Sequence, residues 1–204
     1  MRMRKKKHGT ERLEACGDII IHDREDIKSV PVILEIGCGK GKFISELANR
    51  DKDKFYIGLE KISDVLLIAA EKVKSSDTTN VNFIVDDVKN LNNYLGAKEV
   101  ERIYLNFSDP WSKKGYHKRR LTYKTFLEIY KTVLTDNGAI FMKTDNRDLF
   151  EFSIEQLSEN GFDVRNVTYD LHNSEYAADN IMTEYETNFA SKGFSIHRLE
   201  GYLL

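Results

Sequence analysis

Proline is scarce in this chain, with two in 204 residues, and no Pro-, Gly- or Ser-rich stretch, repeat or low-complexity tract marks a linker. The expectation is one domain over residues 1–204. Two cysteines, Cys16 and Cys38, exclude a disulfide framework and a cysteine-rich metal site, and they are expected to stay reduced. Five histidines are scattered without ligand spacing, so no metal is expected. No apolar run approaches the ~20 residues of a membrane helix, and the basic start, Met1 to His8, lacks the apolar segment of a secretory signal. The cytoplasm is the expected location. Excess charge is missing too: 31 Lys and Arg oppose 33 Asp and Glu. Any affinity for a polyanion must therefore be local.

What is present is alternation. Short apolar runs at Val32–Ile36, Phe55–Leu59, Val81–Val85, Arg102–Phe107 and Ala139–Lys143 read as buried strands. Between them, helical periodicity runs over Gly41–Asn49, Val65–Val73, Thr122–Leu134 (closed by Asn137-Gly138) and Leu149–Leu157 (closed by Asn160-Gly161). Two further strands are expected at Phe162–Tyr169 and Phe194–Leu199. Strand–helix alternation predicts an α/β fold, a parallel sheet with helices on both faces.

Glu35-Ile36-Gly37-Cys38-Gly39-Lys40-Gly41 lies where the first strand hands over to the first helix, the edge at which open α/β sheets bind ligands. The dinucleotide fingerprint fails, because Lys42 takes the place of its third glycine. A phosphate-binding P-loop fails as well, because Phe43 follows Lys42. Glu35-x-Gly37-x-Gly39-x-Gly41 resembles motif I of the class I S-adenosylmethionine-dependent methyltransferases. That cofactor has no phosphate and carries ammonium and sulfonium centres, which suits an acid beside the loop. Glu60 ends the second strand, where a carboxylate can accept both ribose hydroxyls. Asp87 follows the third, within reach of an adenine amino group, and the adjacent Asp86 fits the spacing equally.

The fourth strand ends in Ser108-Asp109-Pro110-Trp111, and Ser112 to Arg120 then turn strongly basic. Proline removes a donor and fixes φ, so the strand stops near Asp109 and leaves its carboxylate at the strand's end. With these residues in view, the chain resembles the bacterial tRNA (guanine-N7)-methyltransferase family, known as TrmB. The likeness runs from Met1-Arg2-Met3-Arg4 through the glycine loop and Tyr104–Arg120 to Lys143-Thr144-Asp145-Asn146 and Thr183-Glu184-Tyr185-Glu186. It implies a Rossmann-like class I methyltransferase with a mostly parallel seven-stranded sheet, transferring a methyl group to N7 of guanine in the tRNA variable loop. It further implies cofactor contacts from Glu35, Gly37, Gly39, Glu60, Asp87 and Asp109, and substrate contacts from Lys113, Asp145, Thr183, Glu184, Tyr185 and Glu186. The chain departs from the family's usual pattern at Ser112, Gly115 and Tyr116, where Pro, Arg and His are common, and at Asn188, where a basic residue is frequent.

Guanine N7 offers a lone pair and no proton, so attack on a methyl group needs no general base. Positive charge grows on the purine, and a fixed carboxylate such as Asp109 stabilises it. In a second arrangement Asp109 holds the guanine through N1–H and the exocyclic amine; a proton-acceptor role is the weaker alternative. Asp145, after the fifth strand, either shares this task or caps the next helix. Competing readings are another S-adenosylmethionine-dependent enzyme with an RNA or amine acceptor, and a non-catalytic RNA-binding protein that kept the fold. A nicotinamide dehydrogenase comes last. Monomer and homodimer both remain open.

Residues 1–25 are expected to form a basic arm, flexible without tRNA, with Arg2, Arg4, Lys5, Lys6 and Lys7 as its cations, while Lys113 to Lys124 form a second patch. Removing Met1–Lys7 should weaken tRNA binding and leave cofactor binding intact. Equal tRNA affinity with and without the arm at moderate salt would contradict this.

Overall fold

The computed structural model describes residues 6–190 and 193–204. Its centre is a seven-stranded sheet of β1 (Val32–Ile36), β2 (Phe55–Leu59), β3 (Val81–Ile84), β4 (Val100–Asn106), β5 (Leu134–Thr144), β6 (Phe162–Thr168) and β7 (His197–Leu203). The strand order is β3-β2-β1-β4-β5-β7-β6, parallel except for β7, which runs antiparallel to both neighbours. The order reverses between β1 and β4, and the crevice at such a switch point is where α/β sheets take ligands.

Side-chain alternation along the strands divides the core in two. Ile33, Tyr56, Val81 and Phe83 pack with α2 (Lys42–Arg50) and α3 (Ser63–Lys74) through Ile44, Ala48, Leu66 and Ala70. Leu34, Ile36, Ile57 and Ile103 pack on the other face with α4 (Lys124–Val133) and α5 (Arg147–Glu159) through Leu127, Tyr130, Leu149 and Phe150. Non-polar burial on both faces explains why the strands read as continuous apolar runs.

Several boundaries differ from expectation for identifiable reasons. Asn137-Gly138 does not close a helix: α4 ends at Val133, and residues 135–138 form an excursion within β5, whose pairing jumps from Val100↔Leu134 to Arg102↔Ala139. A Cβ at Gly138 would lie 2.9 Å from the Leu134 side chain, so the excursion closes only over glycine. The last strand starts at His197 rather than Phe194, because its register is set by pairing with β5 from Thr144↔His197 onward.

The N-terminal stretch carries structure from Lys6 onward. Helix α1 (Gly9–Glu14) lies against α3, with the Lys6 backbone N–H on Asp64 (3.1 Å) and the Arg12 guanidinium spanning both oxygens of Glu71 (2.8 and 2.7 Å). Cys16, Ile20 and Ile21 are buried, and the Ile21 N–H donates to the Phe83 carbonyl at 2.8 Å. Of the expected arm's cations, Arg2, Arg4 and Lys5 lie outside the described residues. Among the described residues no helix is long and apolar enough to cross a membrane.

Between β6 and β7 the chain makes a long excursion back toward the strands' carboxyl edge. It includes two short 3-10 turns and α6 (Glu184–Ala190). One buried ion pair fastens it: the Lys143 ammonium on β5 donates to Glu186 (2.7 Å), to Asn180 Oδ1 (2.9 Å) and to the Ile181 carbonyl (2.8 Å). Glu186 is fully buried and also engages His172 (2.8 Å) and Asn180 Nδ2 (2.7 Å). Burial lowers the Lys143 pKa below the usual lysine range although Glu186 opposes the shift. For Glu186, burial raises the carboxyl pKa, but the Lys143 charge and hydrogen bonds outweigh it and hold it below the usual carboxylate range. Glu186→Ala would leave the Lys143 ammonium without its counter-ion and should cost about 3–5 kcal/mol of stability. Urea unfolding checks this; a loss below about 1 kcal/mol, the range of an exposed pair, would contradict it.

Candidate active site

The carboxyl ends of β1 to β4 open into a cavity of about 720 Å³. Gly37, Glu60, Asp86, Asp87, Asn106, Phe107, Asp109, Trp111 and Arg119 are among its lining residues. The glycine loop adopts left-handed backbone at all three glycines, with φ of +76° at Gly37, +57° at Gly39 and +73° at Gly41. At Gly41 a Cβ would also sit 2.7 Å from Ala69 Cβ, so glycine lets the loop approach α3. A Cβ at Gly37 meets no protein atom within 4 Å; beside the cavity, that leaves space for a ligand.

The predicted acids fall into distinct situations. Glu35 is buried on β1; its Oε1 accepts from Asn106 Nδ2 at 2.9 Å, while its Oε2 has no partner. Burial pushes its carboxyl up to about 8, partly offset by the Asn106 hydrogen bond and the Lys143 charge. Asn106 Oδ1 is likewise buried and without a donor. Glu60 ties the glycine loop to β2, accepting from the Gly39 N–H (3.2 Å) and the Ile62 N–H (2.9 Å).

Asp86 and Asp87 separate by their partners. Asp86 is taken up by Asn90 (2.8 Å), the Tyr94 hydroxyl (2.9 Å) and the Asp87 N–H (2.7 Å). Asp87 caps the 3-10 turn Val88–Asn93 through the Lys89 N–H (3.1 Å) and pairs with Lys61 at 2.7 Å. Burial raises its pKa, but Lys61 and the Lys89 N–H outweigh that and keep the carboxyl below the usual range. The pair with Lys61 is solvent-exposed on the lysine side and therefore weak.

Asp109 is exposed to the cavity and has no hydrogen bond or ion pair among the described residues. Its turn is held from both sides. Phe107 and Trp111, two residues before and after it, adopt left-handed φ of +53° and +41°, strained conformations for aromatic residues. Arg120 is fully buried; its Nε donates to the Pro110 carbonyl at 2.8 Å, its Nη2 binds Asp148, and its guanidinium lies 4.6 Å from the Phe152 ring. Arg120 is thus a brace beneath the turn and not, as its place in the basic run suggests, a surface cation. Lys113, Lys114, Lys118 and Arg119 remain exposed.

Alongside the cavity, in contact with its Phe107, stands the excursion before β7. Asp145 does not cap α5; Asn146 does, accepting from the Leu149 N–H at 2.8 Å. Asp145 instead accepts from the Tyr185 hydroxyl (3.2 Å), and the Tyr185 ring lies 5.0 Å from Phe107 and stacks on Phe189 at 4.1 Å. Thr183 and Glu186 form a reciprocal capping box at the start of α6, with Thr183 Oγ1 accepting from the Glu186 N–H (2.9 Å) and Glu186 accepting from the Thr183 N–H (3.3 Å). Glu184 pairs with Lys40 of the glycine loop at 3.2 Å. Of the four residues, Tyr185 has its side chain open to solvent beside Asp109's cavity, whereas Glu186 faces the interior. The T-x-x-E spacing is a helix-start signal and could have placed α6 from sequence. Asn106 carried no such signal. Among the described residues no group of three or more His, Cys, Asp or Glu side chains is placed to hold a metal ion.

Comparison with known proteins matches this architecture. Residues 29–199 match a family described as putative methyltransferase. Solved structures with the same fold include an antibiotic-related methyltransferase (TM-score 0.65, 18% identity, covering 98% of this chain and 97% of that one). The 16S rRNA methyltransferase KamB also aligns (TM-score 0.65, 12% identity, 99% and 96% coverage). At these identities the likeness concerns the fold. Sequence relatives are far nearer. The tRNA (guanine-N(7)-)-methyltransferase of Lachnoclostridium phytofermentans is 45% identical over 203 residues, covering 95% of each chain. That of Streptococcus agalactiae is 44% identical over 209 positions, covering 98% of this chain and 99% of the relative. With a shared fold, a glycine loop at the sheet's switch point and this identity over nearly its whole length, the chain belongs to the tRNA (guanine-N(7)-)-methyltransferase family.

Proposed function

We propose that the protein transfers a methyl group from S-adenosylmethionine to N7 of a guanine in the tRNA variable loop, with Asp109 at the reacting centre. The observation that carries this reading is the arrangement around one cavity: a left-handed glycine loop, acids at the ends of successive strands, and at Asp109 a carboxylate without a protein partner. The fit to the cofactor rests on orphaned groups. Asn106 lines the cavity and bonds Glu35 behind it, and the buried Asn106 Oδ1 and Glu35 Oε2 have no partner, which suits a ligand bearing an ammonium group. Gly37 leaves open space where a side chain would otherwise project.

The cofactor supplies an electrophilic methyl group on a sulfonium centre. The rest is the chain's own work. Glu60, held by the glycine loop, presents its remaining lone pairs to the ribose hydroxyls. Asp87 is the better adenine contact, because Asp86 is spent on Asn90, Tyr94 and the backbone, whereas Asp87 holds one backbone N–H on one oxygen and an exposed lysine on the other. Gly37 and Gly39 shape the turn that lets a ligand close on the strand ends.

Asp109 sits where positive charge grows on the guanine, and stabilises it electrostatically or by holding the base edge; no proton has to be removed from N7. The strained flanks and the Arg120 brace fix it in place, so most of the rate derives from alignment. Tyr185, positioned by Asp145 and Phe107, offers a ring on which the extracted base can stack, while Lys113 contacts phosphate. Thr183, Glu184 and Glu186 act as positioning residues: they cap α6 and fasten it to the glycine loop and to Lys143.

Incubation with labelled cofactor and unmodified tRNA should label the RNA. Asp109→Ala should lower kcat on the order of 100-fold, the range for loss of one preorganised electrostatic group, with an unchanged thermal unfolding midpoint. Near-normal turnover of that variant would reject the role of Asp109, and absence of label with wild-type protein would reject the reaction.

A further inference from the structure

One stretch of the sheet is polar where a core is expected. Residues opposite one another in paired strands share a face, and on the face toward α2 β4 presents Arg102 and Tyr104, β5 Phe141 and Lys143, and β7 Arg198 and Glu200. The other face of the same strands, with Ile103, Ile140 and Leu199, is apolar and packs with α4 and α5. What roofs the polar face is the excursion between β6 and β7, through Leu171, Tyr176 and Ile181, while Phe43 of α2 stands beside it; the space between is a cavity of about 350 Å³. It is distinct from the cavity that Asp109 faces, since of their lining residues only Asn106 belongs to both. Three cations line it, and two are answered. Lys143 has Glu186, and Arg198 has Glu200 and the Asn166 carbonyl (3.2 Å). Arg102 is not. Its guanidinium lies 4.4 Å from the Phe141 ring centroid and its Nη1 donates to the Tyr104 hydroxyl at 3.1 Å, but no carboxylate engages it among the described residues. Glu101, next to it in sequence, is taken by Lys54, and Asp179, the remaining acid of the lining, is exposed and does not reach it.

We infer that this cavity is a second binding site, for a small organic anion with one flat ring, whose carboxylate or phosphate head pairs with Arg102. Stacking on Phe141 fixes the guanidinium plane without using its N–H groups, which leaves an edge for two parallel hydrogen bonds to an anion. Arg102 is partly buried on a central strand, where an opposite charge acts more strongly than in water. The rings of Phe43, Phe141 and Tyr176 give the body of the ligand an aromatic surround. At the small end of the range for ligand pockets, roughly 300–1,000 Å³, the volume suits one ring with its head group and not a dinucleotide. The roof is closed down on Lys143 through Asn180 and the Ile181 carbonyl, which favours a small molecule over a strand of polymer.

Calorimetric titration of the full chain with benzoate and with uridine 5′-monophosphate separates the two head groups, and benzamide and uridine serve as their less charged counterparts. One of the two anions should bind in the millimolar range or tighter, and its counterpart roughly tenfold more weakly. Arg102→Ala should lower affinity for that anion roughly tenfold or more. Arg102→Lys should lose part of it, because the charge stays and the fork goes, and Tyr176→Ala should lose a few-fold. Saturating S-adenosylhomocysteine should not displace the anion. Failure of both anions to bind would overturn the inference, as would equal binding of the counterparts or unchanged affinity in Arg102→Ala. Displacement by S-adenosylhomocysteine would assign the anion to the other cavity and displacement by tRNA would assign this face to RNA, and either result would equally reject a separate small-molecule site. Should the alanine variant at Arg102 fail to fold, Arg102→Lys and Tyr176→Ala decide: wild-type anion affinity in both would reject the site.

Discussion

The Lys143–Glu186 ion pair lies out of water beneath the strands' carboxyl edge, and the excursion that carries α6 hangs from it. A buried ammonium is costly unless its donors are matched, and Lys143 finds a carboxylate, an amide oxygen and a backbone carbonyl, all on the excursion between β6 and β7. The excursion is thereby pinned to β5 at one register. From that anchor follow the capping box of α6, the pairing of Glu184 with Lys40 on the glycine loop, and the placement of the Tyr185 ring against Phe107. The same ammonium also bears on Glu35, whose buried carboxyl it partly offsets.

Asp109 draws its position from a different device. Strand β4 ends one residue before Phe107, and the chain then spends backbone strain at Phe107 and Trp111, on either side of an exposed carboxylate. Arg120 holds the Pro110 carbonyl from below, which keeps the turn from relaxing. Strain concentrated around one unpartnered acid is the expected mark of a working group.

The central strands were legible in the sequence because they are buried on both faces, so β1 and β2 stand out as unbroken apolar runs bounded by polar turns. The glycine loop and its acids were legible through spacing at strand ends. Less legible was anything decided by tertiary partners. Asn137-Gly138 has turn chemistry, but whether it ends a helix or interrupts a strand depends on pairing with β4. Arg120 and Glu186 have the composition of surface residues, and only a partner across the fold, Pro110 with Asp148 in one case and Lys143 in the other, reveals them as buried. The engagement of Asp86 likewise rests on the Tyr94 hydroxyl, eight positions away and invisible to spacing.

The central claim is chemical: the methyl group goes to guanine N7, at a site where no base is required. The most direct measurement is to treat an unmodified tRNA with the protein and S-adenosylmethionine, then with borohydride and aniline, which cut the chain where 7-methylguanine stands. A single new cleavage in the variable loop, dependent on both protein and cofactor, is expected. Methyl incorporation without that cleavage, or cleavage elsewhere in the tRNA, would contradict it.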